Sequence, residues 1–263
     1  MSERKQNKKI DNKAPVIVGV GDFTDRSKED GLNPQELLAK ASQLAIKDSG
    51  IKDLNKQIDY VGVVRFSVDF LTATNQSSFQ YSNFPRTLSN KLGIQATNEV
   101  YAPMGGNSPQ VLLEDALIKI SSGETDCALL AGGEALQTMI ARLKAGMSLD
   151  WLDDPGGNPE MIGNNAIGFS EHEKIHGMDL PTNVYPLFAQ SLRKKDNKTA
   201  KQHLKECSSL FSEFSKIASN NPYSWFPTFR SEEEIASVTK NNRLVGYPYT
   251  KYLNSVIRVN MSS

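Results

Sequence analysis

The stretch Glu99-Val-Tyr-Ala-Pro-Met-Gly-Gly-Asn-Ser-Pro-Gln-Val-Leu-Leu113 decides the reading of the fold. Asn98 to Pro103 is a short, largely apolar run of strand type, and Gly105-Gly106 gives it a tight turn. Ser108 is predicted to cap the helix that follows, with Pro109 at its first turn. In such a strand–turn–helix unit the turn sits at a helix N-terminus, where free backbone N–H groups and the positive end of the helix dipole gather. Met104, Gly105, Gly106 and Asn107 therefore form the first candidate site, although none of the four is a nucleophile.

The same alternation repeats on both sides of this unit. Pro15-Val-Ile-Val-Gly-Val-Gly21 is a continuous apolar run that predicts a strand buried on both faces, as in a parallel sheet. Asn33-Pro34-Gln35-Glu36 predicts a capped helix start, Leu37, Leu38, Ala41, Leu44 and Ala45 its apolar stripe, and Gly50 its end. Ile58 to Phe66 is a second strand, Ser67 to Ser82 a loop, and Asn83 to Gly93 a short helix. Val111, Leu112, Ala116, Leu117 and Ile120 give the helix after the turn a broad apolar face that Gly123 closes. Asp126 to Gly133 is a fourth buried strand, with Cys127 as a small core residue. The order βαβαβαβ predicts an α/β fold around a mostly parallel sheet over residues 15–146.

After Gly146 the character changes. Trp151 to Pro159 is turn-rich, Leu187 to Arg193 reads as helical, and so does Lys201 to Ser219. In the longer helix Leu204, Cys207, Leu210, Phe211, Phe214 and Ile217 recur at helical spacing. Residues 147–242 thus read as an inserted, largely helical loop domain, and 243–263 as a return to the core. Asn220 to Phe229 and Arg243 to Tyr252 are aromatic, proline-containing loops.

Composition narrows the function classes. The 30 basic and 30 acidic residues cancel, which argues against nucleic acid or an anionic membrane as a partner held by bulk charge. The one basic run, Arg4 to Lys9, lies in a polar tail over residues 1–14 that is expected to be disordered. It has no signal-peptide core, and no stretch approaches the roughly 20 apolar residues of a membrane span. Two cysteines give neither a disulfide framework nor a metal spacing, so a cytoplasmic protein is expected. Gly19 and Gly21 invite a dinucleotide reading, but Thr24 stands where the third glycine would be, and a polar loop from Asp22 to Leu32 precedes the next helix. Close backbone packing is the competing account of these glycines.

With the elements in order, the chain resembles the N-terminal half of a thiolase. Ser122-Gly-Glu-Thr-Asp-Cys-Ala-Leu-Leu-Ala-Gly-Gly-Glu134 is similar to the thiolase stretch in which a helix ends in glycine and an apolar strand leads to Ala-Gly-Gly-x-Glu. Glu171-His172 with His176-Gly177, and Asn221-Pro-Tyr-Ser224, resemble segments of sterol-carrier-type thiolases. Pro248-Tyr-Thr-Lys251 followed by Leu253-Asn254 resembles the run before the fifth strand of that half. The Trp225-Phe-Pro loop and Gly246-Tyr-Pro-Tyr-Thr-Lys251 look most like thiolase-like proteins named acetyl-CoA acetyltransferases.

The resemblance implies an acyl-CoA-handling acyltransferase with a coenzyme A thioester as substrate or ligand, no other cofactor and no metal. It implies binding roles for Gly105, Gly106, Asn107, His172 and His176, and a homo-oligomer paired through the N-terminal core. Two departures matter. The nucleophilic cysteine of thiolases falls at Met104, whose thioether cannot form a thioester intermediate. The Gly-His-Pro and Cys-Gly-His segments of the second half are absent, so a fragment is expected, with the complementary C-terminal half as a possible partner in trans. The alternative function is a non-catalytic acyl-CoA-binding or assembly subunit. His172-Glu-Lys-Ile-His176 also spells the His-Glu-x-x-His pattern of zinc peptidases, but its polar flanks and the glycines at 168 and 177 shorten any helix, and the thiolase resemblance explains the same residues.

Overall fold

A computed structural model describes residues 13–67, 81–164 and 168–253. The basic tail before Lys13, most of the expected 67–82 loop and the C-terminal run from Asn254 lie outside the described residues. The chain divides into two compact units, Met1–Asn165 and Ala166–Ser263.

In the first unit, β1 (Tyr60–Val64) is the centre of a sheet with β2 (Asn98–Ala102) on one side and β3 (Ala128–Ala131) on the other. A two-residue strand, β4 (Glu160–Met161), pairs with β2, so the order is β3-β1-β2-β4 and every pairing is parallel. Successive residues of β1 face opposite sides. Val61 and Val63 enter one core cluster with Leu38, Phe84 and Leu88, which come from α1 (Pro34–Asp48) and α2 (Phe84–Leu92). Tyr60 enters the other with Leu112 and Ala116, from α3 (Ser108–Ser122). Phe66, Tyr81 and Phe84 close the first cluster with edge-on ring contacts of 4.7–5.6 Å. The predicted α/β class and its parallel core are therefore present.

Helix starts were the most legible local feature. Asn33 forms a full capping box with Glu36, Asn83 accepts from the Arg86 N–H, and Gly93 and Gly123 end their helices in the left-handed region. The helix at the central turn differs from expectation. Ser108 is its first residue rather than its cap, and Asn107 holds the cap position without a side-chain bond.

Three burial expectations are corrected. Val16 and Ile17 are 75% and 76% exposed, and residues 15–21 pair with no strand among the described residues. Gly19 and Gly21 of that run lie directly on α1: a Cβ on either would stand 2.2 Å from a carbonyl oxygen, of Ala45 and Ala41 respectively. Close packing, rather than a phosphate, accounts for both glycines. The buried stripe of α1 is Pro34, Leu38, Ala39 and Ser42, with Leu44 exposed, because the Ala41 and Ala45 face lies under the 19–21 backbone. On α3, Leu112 and Ala116 are buried whereas Leu117 is exposed.

Residues 147–165 fall in the first unit, where Leu149 and Trp151 are buried in the main cluster and β4 extends the sheet. The second unit holds α5 (Glu171–Ile175), α6 (Pro181–Lys195), α7 (Ala200–Asn220), α8 (Glu232–Ala236) and a hairpin of β5 (Leu244–Gly246) and β6 (Tyr249–Thr250). The hairpin replaces the loop expected over 243–252. The helical reading of α7 holds, and Leu204, Cys207 and Phe211 of its apolar stripe pack half-buried against the cluster of Ile235, Tyr249, Tyr252 and Leu253; its fully buried residues, however, are Ser208, Ser212, Ser215 and Ala218, and Leu210 and Ile217 are 52% and 59% exposed. The serines face inward because their hydroxyls are satisfied there: Ser212 and Ser215 both donate to the Arg230 carbonyl, and Arg230 N–H donates back to Ser215 Oγ. No helix among the described residues is long and apolar enough to cross a membrane.

Two outcomes test this packing. Gly62 has room for no side chain, since a Cβ there would stand 2.7 Å from Leu112 Cδ1. Gly62→Ala is expected to destabilise the protein by about 1–3 kcal/mol in urea unfolding, the usual effect of overpacking. Tyr60 OH donates to Asp115 Oδ2 at 2.8 Å. Burial first, then the Asp115 hydrogen bond and charge, push the phenol well above its ordinary range. A phenol raised on folding stabilises fully below its unfolded pKa, and that stabilisation is lost as pH rises beyond it. Tyr60→Phe should therefore cost about 1–2 kcal/mol at neutral pH, a deficit that shrinks above about pH 10.

Candidate functional site

The parallel register places the ends of three strands along one edge. Val64 pairs with Ala102, and Val63 with Ala131, so Arg65, Pro103 and Gly132 leave the sheet side by side. In a parallel α/β sheet this carboxyl edge is where ligands bind. The turn Met104–Asn107 leaves β2 at this edge and delivers the chain to α3.

All four turn residues are exposed, Met104 at 40%. Ser108 N–H donates to the Gly105 carbonyl, and Gln110 and Val111 N–H groups both donate to the Asn107 carbonyl. The N–H groups of Gly106 and Asn107 donate to no group among the described residues. They stand at the start of a 15-residue helix, where the dipole favours negative charge. A Cβ on Gly105 would approach Ser108 Oγ to 3.1 Å and Asn107 Oδ1 to 3.2 Å, while one on Gly106 would meet open space. The backbone here can therefore approach a ligand closely and offer it hydrogen bonds, but no side chain of the turn can attack one.

Neither cysteine supplies the missing nucleophile. Cys127 precedes β3 at the opposite, amino edge of the sheet and packs against the main core. Burial first, then the charges of Asp59 and Asp126, raise its pKa. Cys207 lies in the second unit, with its Sγ 3.6 Å from His203 Nε2. Burial and the Glu206 charge raise its pKa too, against a smaller opposing effect of Lys198. A raised pKa keeps both as thiols rather than thiolates.

His172 and His176 belong to the second unit, and the turn residues belong to the first. They sit on and just after the short helix α5, both exposed, with ring centroids 4.8 Å apart. Glu173, which would be the base of a zinc peptidase, is held instead in a capping box: its Oε2 accepts from Ser170 N–H at 2.6 Å and from Ser170 Oγ at 2.8 Å. These bonds lower its pKa, the reverse of what a general base needs. Among the described residues, no three of His, Cys, Asp and Glu come together as a metal site.

One carboxylate at the edge was not singled out from the sequence as a site residue. Glu134 Oε1 accepts from both Ser67 N–H (2.8 Å) and Ser67 Oγ (2.7 Å). Its Oε2 is buried and has no hydrogen-bond partner among the described residues. The signal was present in the Ala131-Gly-Gly-Glu134 motif, which sets an acid just beyond a strand end. The Arg65 guanidinium lies over the Tyr101 ring at 4.7 Å, so the edge also carries a cation.

No family model and no curated protein matches the chain. Among solved structures, it is similar to a monomeric SCP2-thiolase-like protein of type 1 from Mycobacterium smegmatis, with a TM-score of 0.68 and 28% identity. The fold is thiolase-like. The match covers 92% of this chain and 43% of the other, so the chain spans less than half the length of that thiolase-like neighbour. The turn at Met104–Asn107 is the strand–helix junction between β2 and α3.

The field at this junction can be read with a thiol. Met104→Cys is expected to give a cysteine that reacts with a disulfide reagent at neutral pH at least about tenfold faster than Cys127 and Cys207, as a thiol at a helix N-terminus does. Equal rates for all three would show that the helix start exerts no such effect.

Proposed function

We propose that this chain binds acyl-CoA thioesters on a thiolase-like frame, through the Met104–Asn107 turn, without itself forming an acyl-enzyme. The observation that carries the reading is the pair of unengaged N–H groups, Gly106 and Asn107, at a helix start on the carboxyl edge of a parallel sheet. Two such donors suit the carbonyl oxygen of a thioester or the oxyanion derived from it. Gly105, Gly106 and Asn107 hold that oxygen in this reading. His172 and His176 are further binding residues only by resemblance to sterol-carrier-type thiolases.

Acyl transfer of the acetyl-CoA acetyltransferase type is the second reading, favoured by the Trp225-Phe-Pro and Gly246-Tyr-Pro-Tyr-Thr-Lys251 resemblance. It needs a thiolate that Met104 does not provide, so we place that chemistry outside this chain acting alone. Self-association is part of the proposal as well. Leu117 and Ile118 leave an apolar strip of α3 exposed in the first unit.

Calorimetric titration with acetyl-CoA is expected to show saturable binding, weakened about tenfold or more by Gly105→Phe, which fills the space at the turn. No heat at millimolar acetyl-CoA would overturn the binding reading. Measurable thiolysis of acetoacetyl-CoA by the purified chain would overturn the non-catalytic one.

A further inference from the structure

The helix α6 turns its small residues inward and its large ones to solvent. Ala189 packs against the cluster of Ile235, Tyr249, Tyr252 and Leu253, and Gln190 Nε2 donates to Tyr249 OH at 3.4 Å. Pro186 faces the hairpin as well, since a Cβ on Gly246 would meet Pro186 Cγ at 3.7 Å. Tyr185, Phe188 and Leu192, spaced i, i+3 and i+7, share another side, and each is more than half exposed. The rings of Tyr185 and Phe188 meet edge-on with centroids 6.3 Å apart. Ile175, Leu180 and Leu187 are exposed too, and no residue of α6 is fully buried. A lone exposed leucine needs no explanation, whereas a continuous apolar helix face does.

The charge around this face is one-sided, although the whole chain is neutral. The unit Ala166–Ser263 has 13 basic and 9 acidic residues, and the unit Met1–Asn165 has 17 and 21. The excess of the second unit gathers where α6 ends. Arg193, Lys194, Lys195, Lys198, Lys201 and Lys205 stand against a single acid, Asp196, between 193 and 205. Two of these cations are engaged locally: Arg193 donates to Gln190 Oε1 and to the Lys198 carbonyl, and Lys198 pairs with Asp196 and Glu206 at 3.3 and 2.7 Å. Lys194 and Lys195, the last residues of α6, are exposed. Before α6, Glu173 is held in the cap of α5, Glu171 lies 4.0 Å from Lys174, and Asp179 is the one acid between the two helices.

We propose that α6 rests on the surface of a lipid bilayer with anionic headgroups. Its Tyr185–Phe188–Leu192 side enters the interface, and Lys194 and Lys195 meet the headgroups. Large apolar and aromatic side chains on one face, with cations at its flank, are the pattern of a helix lying in the plane of an interface. Lysine stems follow apolar surface while their ammonium groups stay at the phosphates. A bilayer supplies apolar depth and negative charge together along the whole helix, about 22 Å for 15 residues. The contact is local, so the neutrality that argues against attraction by bulk charge does not oppose it. This inference stands on the second unit alone and does not draw on the acyl-CoA reading.

The test is co-sedimentation of the full chain with phosphatidylcholine vesicles holding roughly 30% phosphatidylserine, beside vesicles of phosphatidylcholine alone. Saturable partition onto the anionic vesicles is expected, weaker on the neutral ones and weakened by added sodium chloride. Phe188→Ser and Leu192→Ser should each lower the partition about tenfold or more, as loss of a buried apolar side chain does. Lys194→Glu and Lys195→Glu should each lower it about fivefold or more on the anionic vesicles only. All four side chains are exposed, so unchanged circular dichroism should accompany the loss. Absence of partition onto either vesicle overturns the proposal, and so does partition that the Phe188 and Leu192 variants leave unchanged. Sedimentation velocity without vesicles provides the second arm. Concentration-dependent self-association that Phe188→Ser abolishes, with no partition onto vesicles, assigns the face to a second copy of the chain and overturns the lipid reading.

Discussion

The contact between Gly62 and Leu112 governs the first unit. A Cβ on Gly62 would lie 2.7 Å from Leu112 Cδ1 and 2.9 Å from the Tyr60 ring. A bare backbone at this point of the central strand lets α3 settle onto β1 without displacing the Leu112 or Tyr60 side chain. Tyr60, Val100, Ala102 and Ala116 then close around the same spot and share one cluster with Leu112. Because α3 is seated this deeply, its first turn is held at the carboxyl edge of the sheet. The short connection from Ala102 to Ser108 has no other course than around that edge. The position of the Met104–Asn107 turn follows from this packing together with the hydrogen bonds that the Gly105 and Asn107 carbonyls accept.

That constraint also explains how chemistry and fold come apart here. The seating of α3 depends on Gly62, Leu112 and Ala116, and none of these depends on what residue stands at 104. A thioether at 40% exposure lies outside the packed core, and it cannot serve as the thiol that a helix N-terminus activates. The donors of the turn are main-chain groups and survive any substitution that leaves the backbone in place. Binding can therefore outlast covalent catalysis on such a frame.

Much of the architecture was legible because it rests on local rules. The capping box at Asn33, the glycine ends at Gly93 and Gly123, and the apolar runs of β1, β2 and β3 each announce themselves within a few residues. What misled was burial, which is set by what lies opposite. The run Val16–Val20 has the composition of a buried strand, yet its described contacts are with α1, through Gly19 and Gly21, and its valines face outward. In α7 Leu204, Cys207 and Phe211 of the apolar stripe do pack on the cluster around Ile235, but the neighbouring serines are buried more deeply, while Leu210 and Ile217 stay exposed. Small hydroxyl side chains pack closely and bond locally to a carbonyl, an option that hydrophobic periodicity does not register.

The same distinction divides the candidate site. Gly105 and Gly106 are legible in the sequence as a turn, because a Gly-Gly pair between a strand and a helix marks one. The Ala131-Gly-Gly-Glu134 motif sets Glu134 just beyond a strand end, but the sequence does not show that one of its carboxylate oxygens is engaged by Ser67, 67 residues away, and that the other is buried with no partner among the described residues. The His172-Glu-x-x-His176 pattern shows the converse. Three residues at the right spacing imply a zinc site only if the glutamate is free to act. Here Ser170 stands one residue before the helix and claims Glu173 for the cap. A helix of five residues spends its acid on its own N-terminus, and the two histidines are left as an exposed ring pair. Spacing states which side chains share a face; the competition for hydrogen bonds at the helix end determines what they are available to do.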